Sequence, residues 1–368
     1  MKMRWVNWVL PCAFALACAG ALAVMFAGGG ARSSEAGRAR QTALSVAWRV
    51  QMAAKPNLPC ASADGWIVTD AAGGVTALSS EGRRVWQTGF SNQVFECAAS
   101  VVGGLAVVAS QQGRVTGLKV STGEVVWTRE TEGRFQHAPL TGVRGSETVI
   151  WLMSQEDGRL FCLRAGDGAV VWQSEATNRC DGEAVAWQGR IAYGNCDGAI
   201  YVFDAANGAL RGSVAVGSDD QMAGGVLATA GGRLVAGTRQ GNLVAVNAET
   251  LTREALVNVS PSEAFVKPVE AFGGLIAIGT QEGEVVFWRA GEKPSGRVAV
   301  GAAVSGLLFD EGRLYVLAGG GVSVYDAASR LTARLALGDE VRGPVVGRGG
   351  RLACVADQAV VCLKGGGR

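Results

Sequence analysis

From residue 44 onward the chain alternates short apolar stretches with turn residues and shows no run of helical periodicity long enough for a helix-pair solenoid. A glycine followed by an alternating or apolar strand recurs, most clearly as Gly113 to Leu118 (GRVTGL), Gly158 to Leu163 (GRLFCL), Gly198 to Phe203 (GAIYVF) and Gly241 to Val246 (GNLVAV). Weaker copies begin at Gly73, Gly283 and Gly320, and an eighth begins at Gln358. These positions are 37 to 45 residues apart, about 41 on average, so eight units account for residues 44–368. Upstream of each glycine lies a hairpin with its own turn pair: Gln188-Gly189, Gly103-Gly104, Gly231-Gly232, Gly273-Gly274 or Glu311-Gly312. Downstream, Ser121-Thr122-Gly123, Gly166-Asp167-Gly168 and Ala206-Asn207-Gly208 lead into a further strand. Four antiparallel strands in about 41 residues make one propeller blade. The pattern therefore predicts an all-β fold, an eight-bladed β-propeller of four-stranded blades.

The ends of the repeat predict how the ring closes. The eighth unit has a third strand, Ala359 to Leu363, but only Lys364 to Arg368 remain for a fourth. Residues 43 to 50 (ALSVAWRV) read as an orphan fourth strand, since Val46-Ala-Trp48 matches Arg84-Val-Trp86, Val125-Val-Trp127 and Val170-Val-Trp172. This N-terminal strand is expected to complete the last blade and leave no bare sheet edge. The tryptophans Trp48, Trp86, Trp127 and Trp172 recur in register, so they are expected to pack between neighbouring blades. One per blade does not converge on a ligand.

Ahead of the repeat, Lys2 and Arg4 precede an uncharged run from Trp5 to Ala27, and charge returns at Arg32 and Glu35. The expected organisation is a signal peptide or membrane anchor over 1–31, a linker over 32–43 and the propeller over 44–368. A retained anchor, a cleaved signal and a lipoprotein signal all fit. The last rests on Ala15-Leu16-Ala17-Cys18, in which the leucine stands two rather than three positions before the candidate lipidated residue, Cys18. Each alternative exports the propeller to the periplasm or another extracytoplasmic space, with the N-terminal segment at a membrane.

Composition narrows the functional classes. With 34 Lys+Arg against 32 Asp+Glu the chain carries no basic excess, which disfavours nucleic acid as a partner. Fifty-four glycines against eight prolines fit many tight turns rather than long helices or disorder. The single histidine, His137, lies in a connection between blades and excludes paired-histidine chemistry. Asp157, Asp167 and Asp204 occupy turn positions, Asp219-Asp220 reads as a solvated pair, and Gly319 to Gly321 reads as a strand turn. Seven of nine cysteines lie in the propeller. Cys180 and Cys196 are centred on the hairpin turn near Gln188-Gly189, and Cys354 and Cys362 on the turn near Asp357-Gln358, so both pairs are candidate disulfides in an oxidising compartment.

A turn glycine, an apolar strand, a Thr-Gly or Asp-Gly turn and then Val-Val-Trp resembles the pyrroloquinoline-quinone-like propeller repeat, with Gly158 to Trp172 and Gly113 to Trp127 the best copies. Within that superfamily the exported, single-domain, eight-bladed chain is most similar to the BamB-type outer-membrane protein assembly factors. That resemblance implies a non-enzymatic scaffold without cofactor, whose partners are envelope proteins of the outer-membrane assembly machinery. The longest repeat, with Thr131 to Ser146, is where contacts are expected. Two alternatives are a small-ligand or quinone-binding propeller, as in a degenerate quinoprotein, and an exported sensor or glycan-binding module. The quinoprotein enzymes often hold two adjacent cysteines over their cofactor, and no two cysteines here are adjacent.

Overall fold

The structure is a computed structural model that describes residues 44–217, 220–222, 224–264, 266–347 and 350–364. Among them the strands form eight four-stranded antiparallel sheets. Blade 1 comprises Cys60–Ala61, Gly65–Thr69, Gly74–Ser79 and Arg84–Gly89, and later blades repeat this meander along the chain. The third strand of every blade begins one or two residues after the repeat position read from the sequence: Gly74, Arg114, Leu160, Ala199, Asn242, Glu284, Gly321 and Ala359. Seven of these turns use a glycine at positive φ, and Asp357 (φ 54°) serves in the eighth.

Blade 8 contains both ends of the propeller. Its sheet runs, from the rim inward, Ser45–Gln51, Ala359–Lys364, Leu352–Ala356 and Val341–Val346. Ser45 pairs with Lys364 and Gln51 with Ala359. Arg49 adds hydrogen bonds to the Leu337 and Ala356 carbonyls and to Asp357. The residues of Ala359–Lys364 that face both sides of the blade, Val360, Val361, Cys362 and Leu363, are fully buried.

The core is divided into eight clusters, one between each pair of neighbouring blades. Between blades 1 and 2, Ile67 and Val75 meet Ala106, Val108 and Leu118. At the closing seam, Met52, Trp66 and Val68 meet Ala353 and Val360. Middle strands bury both faces in this arrangement, which explains their near-continuous apolar runs. Fourth strands are half-solvated and alternate.

The four repeat tryptophans act as clasps. Each sits at the outer strand of one blade and lies against the glycine that turns the third strand of the next blade into its fourth. A Cβ on Gly82, Gly123, Gly168 or Gly208 would stand 2.3 to 2.7 Å from the indole of Trp48, Trp86, Trp127 or Trp172 respectively. Three indoles also donate across the seam, Trp48 to Ser80 O at 2.8 Å, Trp86 to Val120 O at 2.7 Å and Trp127 to Ala165 O at 3.0 Å. At the fourth seam the corresponding carbonyl, Ala205 O, accepts from Trp151 at 3.2 Å instead. Trp172 Nε1 is buried without a partner as a result. Replacing Trp127 by Phe is therefore expected to destabilise the protein by about 1–2 kcal/mol more than replacing Trp172 by Phe, because only the first leaves a carbonyl unsatisfied. Urea unfolding midpoints of the two variants check this, and equal losses would mean that the indole hydrogen bond contributes nothing.

Candidate functional site

The ring encloses a central cavity of about 610 Å3. Each blade contributes residues at or just before its innermost strand, and Gln281 is added from a turn of blade 6. Asn57 and Leu58 come from blade 1, Glu96 to Ala98 from blade 2, Gln136 to Ala138 from blade 3 and Asp181 to Glu183 from blade 4. Blade 5 contributes Gly225, blade 6 Val266 and Lys267, blade 7 Val304 to Leu307, and blade 8 Arg342 and Gly343. The extra residues of the longest repeat thus do not all protrude: Gln136, His137 and Ala138 turn inward, while Val143, at the tip of the Leu140–Arg144 and Glu147–Met153 hairpin, is 68% exposed.

Close backbone approach holds this wall together. Gly182 lies against Gly224 O, where a Cβ would come within 2.1 Å, and the Val226 N–H donates to Glu183 O at 3.1 Å. Gly306 lies against Gly343 O, where a Cβ would come within 1.9 Å, and Ser305 Oγ donates to Val341 O at 2.9 Å. Gly225 has a different role. A Cβ there would stand 3.0 Å from Lys267 Cδ and 3.1 Å from Glu183 Cβ. Without one, Lys267 of blade 6 reaches past blade 5 and pairs with Glu183 of blade 4 at 3.1 Å.

Most charge at the wall is already paired. Glu183 is held by Lys267, Asp181 by Arg179 at 2.9 Å, and Arg342 donates to Pro56 O at 2.7 Å. Among the described residues Glu96 accepts only from the neutral Gln111 Nε2, at 3.1 Å, and two buried nitrogens of the wall, His137 Nε2 and Arg342 Nε, have no hydrogen-bond partner. Burial pushes the pKa of His137 below the usual imidazole value, against the opposing pull of Glu183 and Asp181, so the ring is neutral near pH 7. The sequence placed His137 in an inter-blade connection, but its inward orientation is a feature of the structure.

The turn aspartates do local work. Asp157, Asp167 and Asp204 accept the backbone N–H groups of Arg159, Ala169 and Ala206. Asp220 is buried and accepts from Gln221 N, Gln240 N and Asn242 Nδ2. That differs from the solvated reading of the Asp219-Asp220 pair, of which Asp219 lies outside the described residues. Gly319 and Gly320, at φ 55° and 75°, form the turn before Gly321–Tyr325.

All seven propeller cysteines are free thiols. Cys354 pairs in register with Val361, and Cys362 with Ala353, so the two thiols point to opposite faces of blade 8. Cys196 Sγ donates to Asp181 Oδ2 at 3.4 Å, and it stands close enough to Cys180 to help raise that thiol's pKa. Burial raises the pKa of Cys97 and Cys354 to about 12 and of Cys362 to about 11, and holds Cys180 well above its ordinary range. Cys18 and the 1–31 segment lie outside the described residues. Among those described, no helix is long and apolar enough to cross a membrane.

Residues 42–196 match the protein family described as outer membrane protein assembly factor BamB, with PQQ-type repeats. No protein of curated function matches the sequence. Among solved structures, BamB from Moraxella catarrhalis superposes with a TM-score of 0.74 at 18% identity, over 87% of this chain and 99% of that one. Sqt1 from Saccharomyces cerevisiae gives 0.71 at 12% identity, over 85% and 97%. A quinohemoprotein alcohol dehydrogenase from Pseudomonas putida HK5 gives 0.69 at 13% identity, over 88% and 76%. These identities speak to fold alone.

Proposed function

We propose, on the premise that the chain is a PQQ-like repeat propeller with its BamB match over residues 42–196, that it is a non-enzymatic scaffold of the cell envelope. In this reading the 1–31 segment brings the ring to a membrane and the propeller holds protein partners of the outer-membrane assembly machinery. The observation that carries it is the combination of that match with a superposition that covers 99% of a BamB chain, so the fold agrees over the whole of that chain as well as in the repeat. Val143, at the tip of its blade-3 hairpin, offers an exposed apolar contact point.

Quinoprotein chemistry fits the channel poorly. A quinone enzyme needs a cation and a free carboxylate at the cofactor, whereas Glu183 and Asp181 are committed to Lys267 and Arg179, and Glu96, which accepts from Gln111 Nε2, has no second carboxylate converging with it on a metal site. Among the described residues no three His, Cys, Asp or Glu side chains converge as a metal site. Cys97 stands in the channel wall without a neighbouring cysteine.

Affinity capture of the full-length protein from detergent-solubilised envelopes of its own host, read by mass spectrometry, tests the proposal. Recovery of outer-membrane assembly components is the expected result. Bait alone, carrying a quinone or a metal, would overturn it and make the channel the site to study.

A further inference from the structure

A smaller cavity of about 120 Å3 opens from the channel between blades 3 and 4. Its body is apolar, with walls from Leu140, Trp151, Met153 and Leu160. Trp151 is fixed there: its indole N–H is bound to Ala205 O, and Gly142 leaves the space that the ring fills, since a Cβ at 142 would come within 2.4 Å of it. The polar residues of the lining are His137, Glu183 and Lys267, all three of which also line the channel.

We propose that this side pocket binds an uncharged alcohol or phenol of roughly six or seven heavy atoms, its apolar body against Trp151 and Met153 and its hydroxyl on the His137 imidazole. Three observations select that class. Size is the first: apolar cavities of roughly 150 Å3 admit a benzene ring, so one of about 120 Å3 takes a single small ring or a short branched chain. Charge is the second. Glu183 and Lys267 neutralise each other at 3.1 Å, and Asp181 is paired with Arg179, so no spare charge awaits an ion. The third is the vacant hydrogen-bonding capacity of His137, a neutral imidazole whose buried Nε2 has no protein partner. Aromatic and thioether walls favour a ring over an alkyl chain. The inference stands apart from the scaffold reading, because a scaffold can carry such a pocket or lack it.

The hydroxylated ring can belong to a free small molecule or to a tyrosine side chain offered through the channel. Titrating the full chain with phenol, toluene and N-acetyltyrosinamide tests the chemistry and separates the sources. The readouts are Trp fluorescence and the imidazole C–H resonances, which belong to one residue because His137 is the sole histidine. Saturable phenol binding at least tenfold tighter than toluene, with the His137 resonances moving, is expected. His137→Ala should abolish that preference and leave toluene binding unchanged, and Ala184→Ile, which fills the pocket, should abolish both. Phenol bound with N-acetyltyrosinamide excluded identifies a free ligand, and tighter binding of the tyrosine derivative identifies a partner's side chain. Equal affinity for phenol and toluene, or His137 resonances that stay fixed as phenol is added, overturns the proposal. Those two comparisons use the unmodified protein and do not depend on either variant folding.

Discussion

Deleting Ser45–Gln51 is expected to turn the folded propeller into aggregate. The deletion strips blade 8 of its outer strand and leaves Ala359–Lys364 as an unpaired edge carrying buried Val360, Val361, Cys362 and Leu363. An apolar strand with free backbone donors and acceptors is a template for pairing with another chain. The same deletion removes the Trp48 clasp on Gly82, its bond to Ser80 O, and the three contacts of Arg49. Lost apolar burial alone is on the order of 5 kcal/mol, comparable with the whole stability of an ordinary domain. Size-exclusion chromatography with a thermal melt measures the outcome, and a synthetic peptide of residues 44–52 added during refolding should recover monomer. A deleted chain that elutes as monomer and melts at an unchanged temperature would show that closure by this strand contributes little.

The second large effect is expected at Gly306. A valine there places Cβ within 1.9 Å of Gly343 O, a backbone atom fixed by blade 8, so neither rotamer nor side chain can relieve the overlap. Overpacking of this kind costs about 3 kcal/mol or more. Gly103→Ala is the matched control. Nothing lies within 4 Å of its added Cβ, and only the positive φ of 56° is penalised, at about 1 kcal/mol. Denaturant unfolding of both variants gives the comparison. Similar losses would mean that the inner strands of blades 7 and 8 separate easily.

Blade number, strand order and ring closure were legible because each is written locally. A turn glycine opens the third strand, and Val-Val-Trp marks the fourth in the early blades. The channel was not legible, because its wall takes a few residues from each blade and no local period marks them. Glu183 and Lys267 are 84 residues apart and meet across position 225, where the missing side chain leaves room for the lysine stem. A residue that acts by lacking atoms leaves no chemical signal in a sequence. The cysteine pairs show how fine the remaining margin is. Centring Cys354 and Cys362 on residue 358 implies opposition, but the turn is centred between Asp357 and Gln358, as the pairing of Ala356 with Ala359 shows. Half a residue in the turn becomes a whole face in the strand.

The tryptophan clasps also make the ring mechanically unequal. They secure the seams from blade 8 through blade 4, the stretch that the family match covers, and the fourth strands Leu210–Ala215, Thr252–Asn258, Gly296–Ala299 and Leu331–Ala336 contain no tryptophan. Each clasp joins one blade's edge to the next blade's turn, so the early blades open only together, whereas the later ones can loosen singly. Local opening therefore has a preferred side, and the disc behaves as a stiff arc joined to a more compliant one.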